Sequence, residues 1–195
     1  MKVGQTLTLS SRQEWRAWLE KHHQTEKEIW LIYHHKDSGK PRISYNDAVE
    51  EALCFGWIDS TIKPVDGERY AQRFSVRNRK SPLSQMNKER VYKLVAQRRM
   101  APAGLEAIAQ VFDPEKEKPG DFQFPPEILA AIQANPQAWQ NFQKFPDVYK
   151  RIRVAYIQNR KEQGQEELYQ KSLAYFIKMT ARNKRFGFVK EMTGD

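Results

Sequence analysis

The residues whose types and spacing could do chemistry gather between Gly56 and Arg90, in GWIDSTIKPVDGERYAQRFSVRNRKSPLSQMNKER. Arg73, Arg77 and Arg90 lie there among Asp59, Ser75, Ser81, Ser84 and Asn87, with Trp57 as an apolar wall. Guanidinium groups beside hydroxyls and an amide suit a compact anion, which arginine grips through charge-assisted hydrogen bonds. Asp59 is the one acid placed to act as a general base, so whether a reaction is catalysed stays open.

The elements that must position these groups are a hairpin and the helix after it. Trp57–Val65 and Arg69–Arg77 read as strands joined around Asp66-Gly67, a turn pair with a strong hairpin preference. In the second strand Tyr70, Gln72, Phe74 and Val76 point one way and Ala71, Arg73, Ser75 and Arg77 the other. An odd-length loop sets Asp59 opposite Ser75 and gathers Trp57, Asp59, Arg73, Ser75 and Arg77 on one polar face. A one-residue slip would spoil that segregation. The following helix is expected over Pro82–Arg99. Leu83, Met86, Val91 and Leu94 share one stripe there, with Asn87 and Arg90 inside it. An amide and a guanidinium on a core-facing stripe need partners, because an unpaired buried charge costs several kcal/mol. Free N–H groups at that helix start, beside Arg73 and Arg77, would complete an anion site. The structural alternative is an Asp59–Arg90–Asn87 network that pins hairpin to helix and binds nothing.

The rest of the chain is legible from its punctuation. A strand around Leu7 and Leu9 precedes a helix capped by Ser10 or Ser11 and running to His22. Ile29–Tyr33 is a continuous apolar run, hence a buried strand. Ser44 and Asp47 resemble a capping box for a helix Tyr45–Phe55, which Gly56 stops. A shorter helix follows Pro102. Residues 113–126, with four prolines and mostly charged neighbours, read as a linker. Beyond it only helical patterns occur: Glu127–Ala134, Pro136–Lys144, Pro146–Arg160 and Gln165–Arg182. The expected architecture is α+β: a small antiparallel sheet with packed helices over residues 1–112, then a C-terminal all-helical unit over 127–195.

Composition excludes several classes. The chain of 195 residues is 39% hydrophobic, enough to bury a core without staples. Cys54 is the sole cysteine, so no internal disulfide forms, and its place between Leu53 and Phe55 suits a buried thiol. The pairs His22-His23 and His34-His35 cannot each offer two ligands from one strand face, and no metal or cofactor motif occurs. The start MKVGQTLTLS lacks a signal-peptide core and no run is long enough to span a bilayer, so a cytoplasmic location is expected.

The net charge of +9 is concentrated. From Arg69 to Arg99 ten cations face Glu89 alone. A second basic stretch holds Lys150, Arg151, Arg153, Arg160, Lys161, Lys171, Lys178, Arg182, Lys184 and Arg185, interleaved with Tyr149, Tyr156, Tyr175 and Phe186. Such clusters imply an anionic partner. A small anion in the N-terminal body is the leading reading. A nucleic-acid- or partner-binding module on the C-terminal helices is the alternative. Oligomeric state is not legible.

The phrases DAVEEALCFGWIDS, RFSVR, SPLSQMNKERV and MAPAGLEAI, with the later FPPEILAAIQANPQAWQNFQKFP, resemble the YdeI/OmpD-associated, or bacteriocin-protection, family from about Glu28 to Phe176. This chain has Val76 where the family has proline, and Leu83 where it has tryptophan. The stretch YIQNRKEQGQEELYQKS departs from the family's lysine-rich pattern. The resemblance implies a bacterial cytoplasmic protein tied to bacteriocin protection or envelope stress, and implies no catalytic activity.

Overall fold

The structure, a computed structural model, describes residues 3–187. They divide into two compact units: residues 3–83 with 90–117, and residues 84–89 with 118–187.

The first unit is a four-stranded sheet with its helices on one face. Its strands are β1 (Thr6–Thr8), β2 (Glu28–His34), β3 (Trp57–Pro64) and β4 (Arg69–Val76), in the order β1-β2-β4-β3. β2 is antiparallel to β4, and β4 to β3, but β1 runs parallel to β2. The sheet is therefore mixed rather than antiparallel. The helix between β1 and β2, α1 (Arg12–His22), supplies the crossover that a parallel pair requires. Ser11 caps it: its hydroxyl accepts from the Glu14 N–H, and Glu14 reaches back to the Ser11 N–H.

One sheet face carries Ile29, Leu31, Tyr33, Phe74 and Trp57. It packs on Trp15 and Leu19 of α1 and on α2 (Tyr45–Cys54). Val91 and Leu94 of α3 (Gln85–Ala96) and Ile108 of α4 (Pro102–Ile108) complete this core. The opposite face holds a small separate cluster of Trp30, Ile32 and Ala71, with the Lys63 ammonium over the Trp30 ring at 5.7 Å. Long charged side chains cover apolar surface in this way while keeping their heads in water.

Gly56 ends α2 with φ +75°, a left-handed turn that glycine adopts without strain. Gly104 is required for another reason. A Cβ there would lie 2.2 Å from the Cys54 carbonyl oxygen, so α4 reaches the end of α2 only through glycine.

Helix α3 is shorter than its apolar pattern suggests, and its stripe is not one surface. Residues up to Glu89 belong to the second unit and those from Arg90 to the first. Met86 accordingly packs in the second core, whereas Val91 and Leu94 lie in the first.

The second unit adds α5 (Pro126–Gln133), α6 (Pro136–Lys144), α7 (Asp147–Glu162) and α8 (Glu166–Ala181). Their core is Ile128, Ile132, Phe142, Tyr149, Val154, Ile157, Leu173 and Phe176, with further buried neighbours. Asn135 caps α6, accepting from the Ala138 N–H at 3.0 Å. Within this unit Glu89 is buried and takes a bidentate grip from Arg151, at 2.5 and 2.9 Å. No helix among the described residues is long and apolar enough to cross a membrane.

Candidate functional site

The β3–β4 register decides which polar groups meet. Next to the turn it is the odd register that the face pattern predicts: Ile62 opposes Gln72, Lys63 opposes Ala71 and Pro64 opposes Tyr70. A bulge between Asp59 and Ile62 then inserts one extra residue, and Gln72 Nε2 donates to the Ser60 carbonyl there at 3.2 Å. Past the bulge Asp59 opposes Phe74 and Ile58 opposes Ser75. One inserted residue turns every later side chain to the other face. Trp57 and Asp59 therefore share the helix-covered face with Phe74, while Arg73 and Ser75 point to the far side.

The expected polar face thus does not form. Arg73 pairs with Glu28, lowering the Glu28 pKa, and donates to Ser60 Oγ at 3.3 Å and Ser75 Oγ at 3.4 Å. Trp57 is a core residue whose indole N–H donates to the His23 carbonyl at 3.2 Å. Ser84 and Asn87 lie in the second unit, where Ser84 Oγ accepts from the Asn87 N–H at 3.3 Å. Arg77 is buried and donates to the Ser81 carbonyl. Its Nε has no partner, and among the described residues it makes no ion pair, so burial lowers its pKa with nothing opposing.

Asp59 and Arg90 are the members that share a neighbourhood, and the structure surrounds them with residues the polar pattern did not single out. Tyr45, in the first turn of α2, donates from Oη to Asp59 Oδ2 at 2.7 Å. Burial and then the Asp59 charge raise the Tyr45 pKa, so the phenol keeps its proton. Arg90 of α3 lies close enough to Tyr45 to oppose that rise, and donates to Asn46 Oδ1 at 2.6 Å.

Beside them Tyr33 of β2 pairs in register with Tyr70 of β4, their rings stacked at 5.2 Å. Arg42, just before α2, donates to Tyr70 Oη at 3.4 Å and to the His34 carbonyl at 3.2 Å, and has no carboxylate partner among the described residues. Tyr33 is the most buried member of this group. The residue is 1% exposed and its Oη has no hydrogen-bond partner. Burial raises its pKa strongly, reinforced by Tyr70, Tyr45 and Asp59 and opposed by Arg42. Asp59, Tyr45, Asn46, Tyr70 and Arg42 are all half-buried, whereas Tyr33 is buried.

Chemically this is a donor-rich cluster around a buried phenol. Protonated phenols and two guanidinium groups outnumber the single Asp59 carboxylate, which remains able to accept from a bound O–H or N–H. Sequence reasoning missed Tyr33, Arg42, Tyr45, Asn46 and Tyr70. Tyr33 and Tyr45 lie in apolar stretches, where their rings satisfied the pattern and their hydroxyls went uncounted.

A second charged group on α2 is structural. Glu50 and Glu51 are buried, and Arg12 reaches both, at 2.8 and 2.5 Å, and also Asp47 at 2.6 Å. Arg16 and Arg99 also hold Glu51, and Lys93 holds Glu50 at 2.8 Å. Burial opposes the Arg12 cation, but Glu51 and Glu50 outweigh it and raise its pKa. Cys54 lies one turn on: burial pushes its thiol up to about 11, helped by Glu51 and opposed by Arg16 and Arg99.

Comparison with known proteins divides the chain in two. Residues 7–107, just over half of the chain and including every residue of the Tyr33–Asp59 group, match the family model described as "Domain of unknown function (DUF8412)". Residues 121–183 match the model described as "Bacteriocin-protection, YdeI or OmpD-Associated". The FGWID and RFSVR phrases thus fall in the first match and FPPEILAAIQANP in the second. No curated protein and no solved structure matches the chain. The chain belongs to the DUF8412 domain family over its α+β body, and its helical unit is similar to the YdeI/OmpD-associated, bacteriocin-protection family.

Proposed function

We propose that this is a cytoplasmic protein of the bacteriocin-protection, stress-response type, whose α+β unit binds a small anionic ligand over Tyr33. Arg42 and Arg90 supply the positive charge, Tyr33 and Tyr70 donate hydroxyl hydrogens, and the Asp59–Tyr45 pair orients the ligand. Arg73 and Ser75, on the other sheet face, take no part.

The observation that carries this reading is the Tyr33 hydroxyl, buried without a partner and within the influence of the Arg42 cation. A buried donor left unmade costs about 1–3 kcal/mol, and most native structures avoid it. A ligand oxygen held between Tyr33 and Arg42 would satisfy it. A carboxylate or phosphate suits the donors Tyr33, Tyr70, Arg42 and Arg90. Asp59 would then accept a hydroxyl or amine of the same ligand.

Titration with inorganic phosphate and with small carboxylates, followed by calorimetry and by the unfolding temperature, tests it. Binding that Arg42→Ala abolishes and Arg73→Ala leaves intact is the expected result. If neither anion binds or raises the unfolding temperature, the cluster is a structural network.

A further inference from the structure

We infer that the helical unit carries a second, separate binding surface for single-stranded nucleic acid, laid along α7 and α8. The structure sorts the basic residues of these helices into two kinds. Lys150 pairs with Asp147, Arg151 with Glu89, Lys161 with Glu127 and Lys171 with Glu167. Arg153, Arg160, Lys178 and Arg182 make no ion pair among the described residues. These unneutralised cations are the ones that accompany the exposed rings.

The spacing explains the arrangement. Arg153, Tyr156 and Arg160 follow one another at three and then four residues on α7, and Tyr175, Lys178 and the C-cap residue Arg182 repeat that spacing at the end of α8. Residues so spaced share one helix face. Phe186 joins the two stripes, its ring 4.9 Å from that of Tyr175 and 4.0 Å from the Arg153 guanidinium. Arg153 also lies 5.4 Å from the Tyr156 ring, and Arg160 lies over that ring at 4.9 Å while donating to its hydroxyl at 2.8 Å. A continuous strip of cations and rings results. Tyr156 is 44% and Tyr175 49% exposed, whereas Tyr149 and Phe176 of the same helices are buried.

Charge complementarity selects the occupant. Cations left without acids attract a polyanion, and exposed rings flanked by guanidinium groups offer stacking platforms to bases. A duplex hides its base faces, so a single strand uses both halves of the strip. An acidic peptide or an anionic lipid surface would use the cations and leave the exposed rings with little to stack on.

The full chain is titrated against a fluorescent dodecamer of thymidine and, separately, against vesicles of anionic phospholipid and a polyglutamate peptide, at several salt concentrations. Binding to the oligonucleotide should fall with salt at a log–log slope of about −0.7 per phosphate contacted. Tyr156→Ala and Tyr175→Ala should each weaken it roughly ten- to a hundredfold with the helical circular dichroism unchanged. Lys178→Ala with Arg182→Ala should flatten the salt slope. No oligonucleotide binding at low salt, binding indifferent to both tyrosines, or ring-dependent binding to vesicles or peptide in preference to the oligonucleotide each overturns the inference.

Discussion

Glu51 Oε1 accepts from Arg12 Nε at 2.5 Å, joining α2 to α1 through a carboxylate wholly removed from solvent. Arg16 and Arg99 close on the same carboxylate. Such a group is stable only while its partners stay, since removing one member of a buried pair strands the other. Glu51→Gln should therefore lower the unfolding free energy by about 3 kcal/mol, read as a fall in the urea midpoint. An unchanged midpoint would mean that the three arginines find equal partners in Glu50, Asp47 and water.

Cys54 sets an alkaline limit. Its folded pKa is raised to about 11, chiefly by burial, so folding favours the protonated thiol. That contribution is fully present below the unfolded thiol's pKa of 9.0 and is lost as pH rises from there through about 11. The full loss is about 3 kcal/mol from this group. Cys54→Ala should lose less stability than the parent chain between those limits. Parallel curves of unfolding free energy against pH for the two proteins would refute the assignment.

Much of the fold was legible because its signals are local. Ser11 and Ser44 cap their helices, Gly56 ends α2, and Asn135 caps α6, each by side-chain or backbone chemistry read within a few residues. The site was legible only in part. Asp59 and Arg90 are drawn into one neighbourhood, but the bulge before Ile62 depends on how β3 meets β4, and no local pattern announces it. The parallel pairing of β1 is likewise non-local. Glu50 and Glu51 look like solvent-facing residues of an amphipathic helix. Their burial is set by Arg12, Arg16 and Arg99, which are distant in sequence.

The bulge makes a direct prediction about two arginines that look equivalent in the sequence. Arg73 lies on the sheet face away from Asp59 and is already engaged with Glu28, whereas Arg42 faces Tyr70 with no acid partner among the described residues. Arg73→Ala should leave phosphate affinity within about twofold, since its solvent-screened ion pair with Glu28 lies on the other sheet face from the Tyr33 group. Arg42→Ala should reduce affinity tenfold or more, as expected for a lost charge-assisted hydrogen bond of about 1.5–3 kcal/mol. Calorimetric titration of both variants decides between them. The reverse order would place the anion on the outer face.

Tyr33→Phe separates a ligand site from a structural cluster in one pair of measurements. The substitution removes a buried hydroxyl that has no partner and keeps the ring stacked on Tyr70. Without added anion the phenylalanine variant should be as stable as the parent or more stable by about 1 kcal/mol, because an unmet desolvation cost disappears. With inorganic phosphate the order should narrow or invert. The parent gains stability in proportion to the logarithm of anion concentration over Kd, and the variant, lacking the donor, gains less at every concentration. Urea unfolding at increasing phosphate therefore gives two curves of different dependence. Equal gains for both proteins would show that Tyr33 donates to no anion. Equal gains of zero would show that the arginines and tyrosines around Asp59 only hold the sheet to α2 and α3.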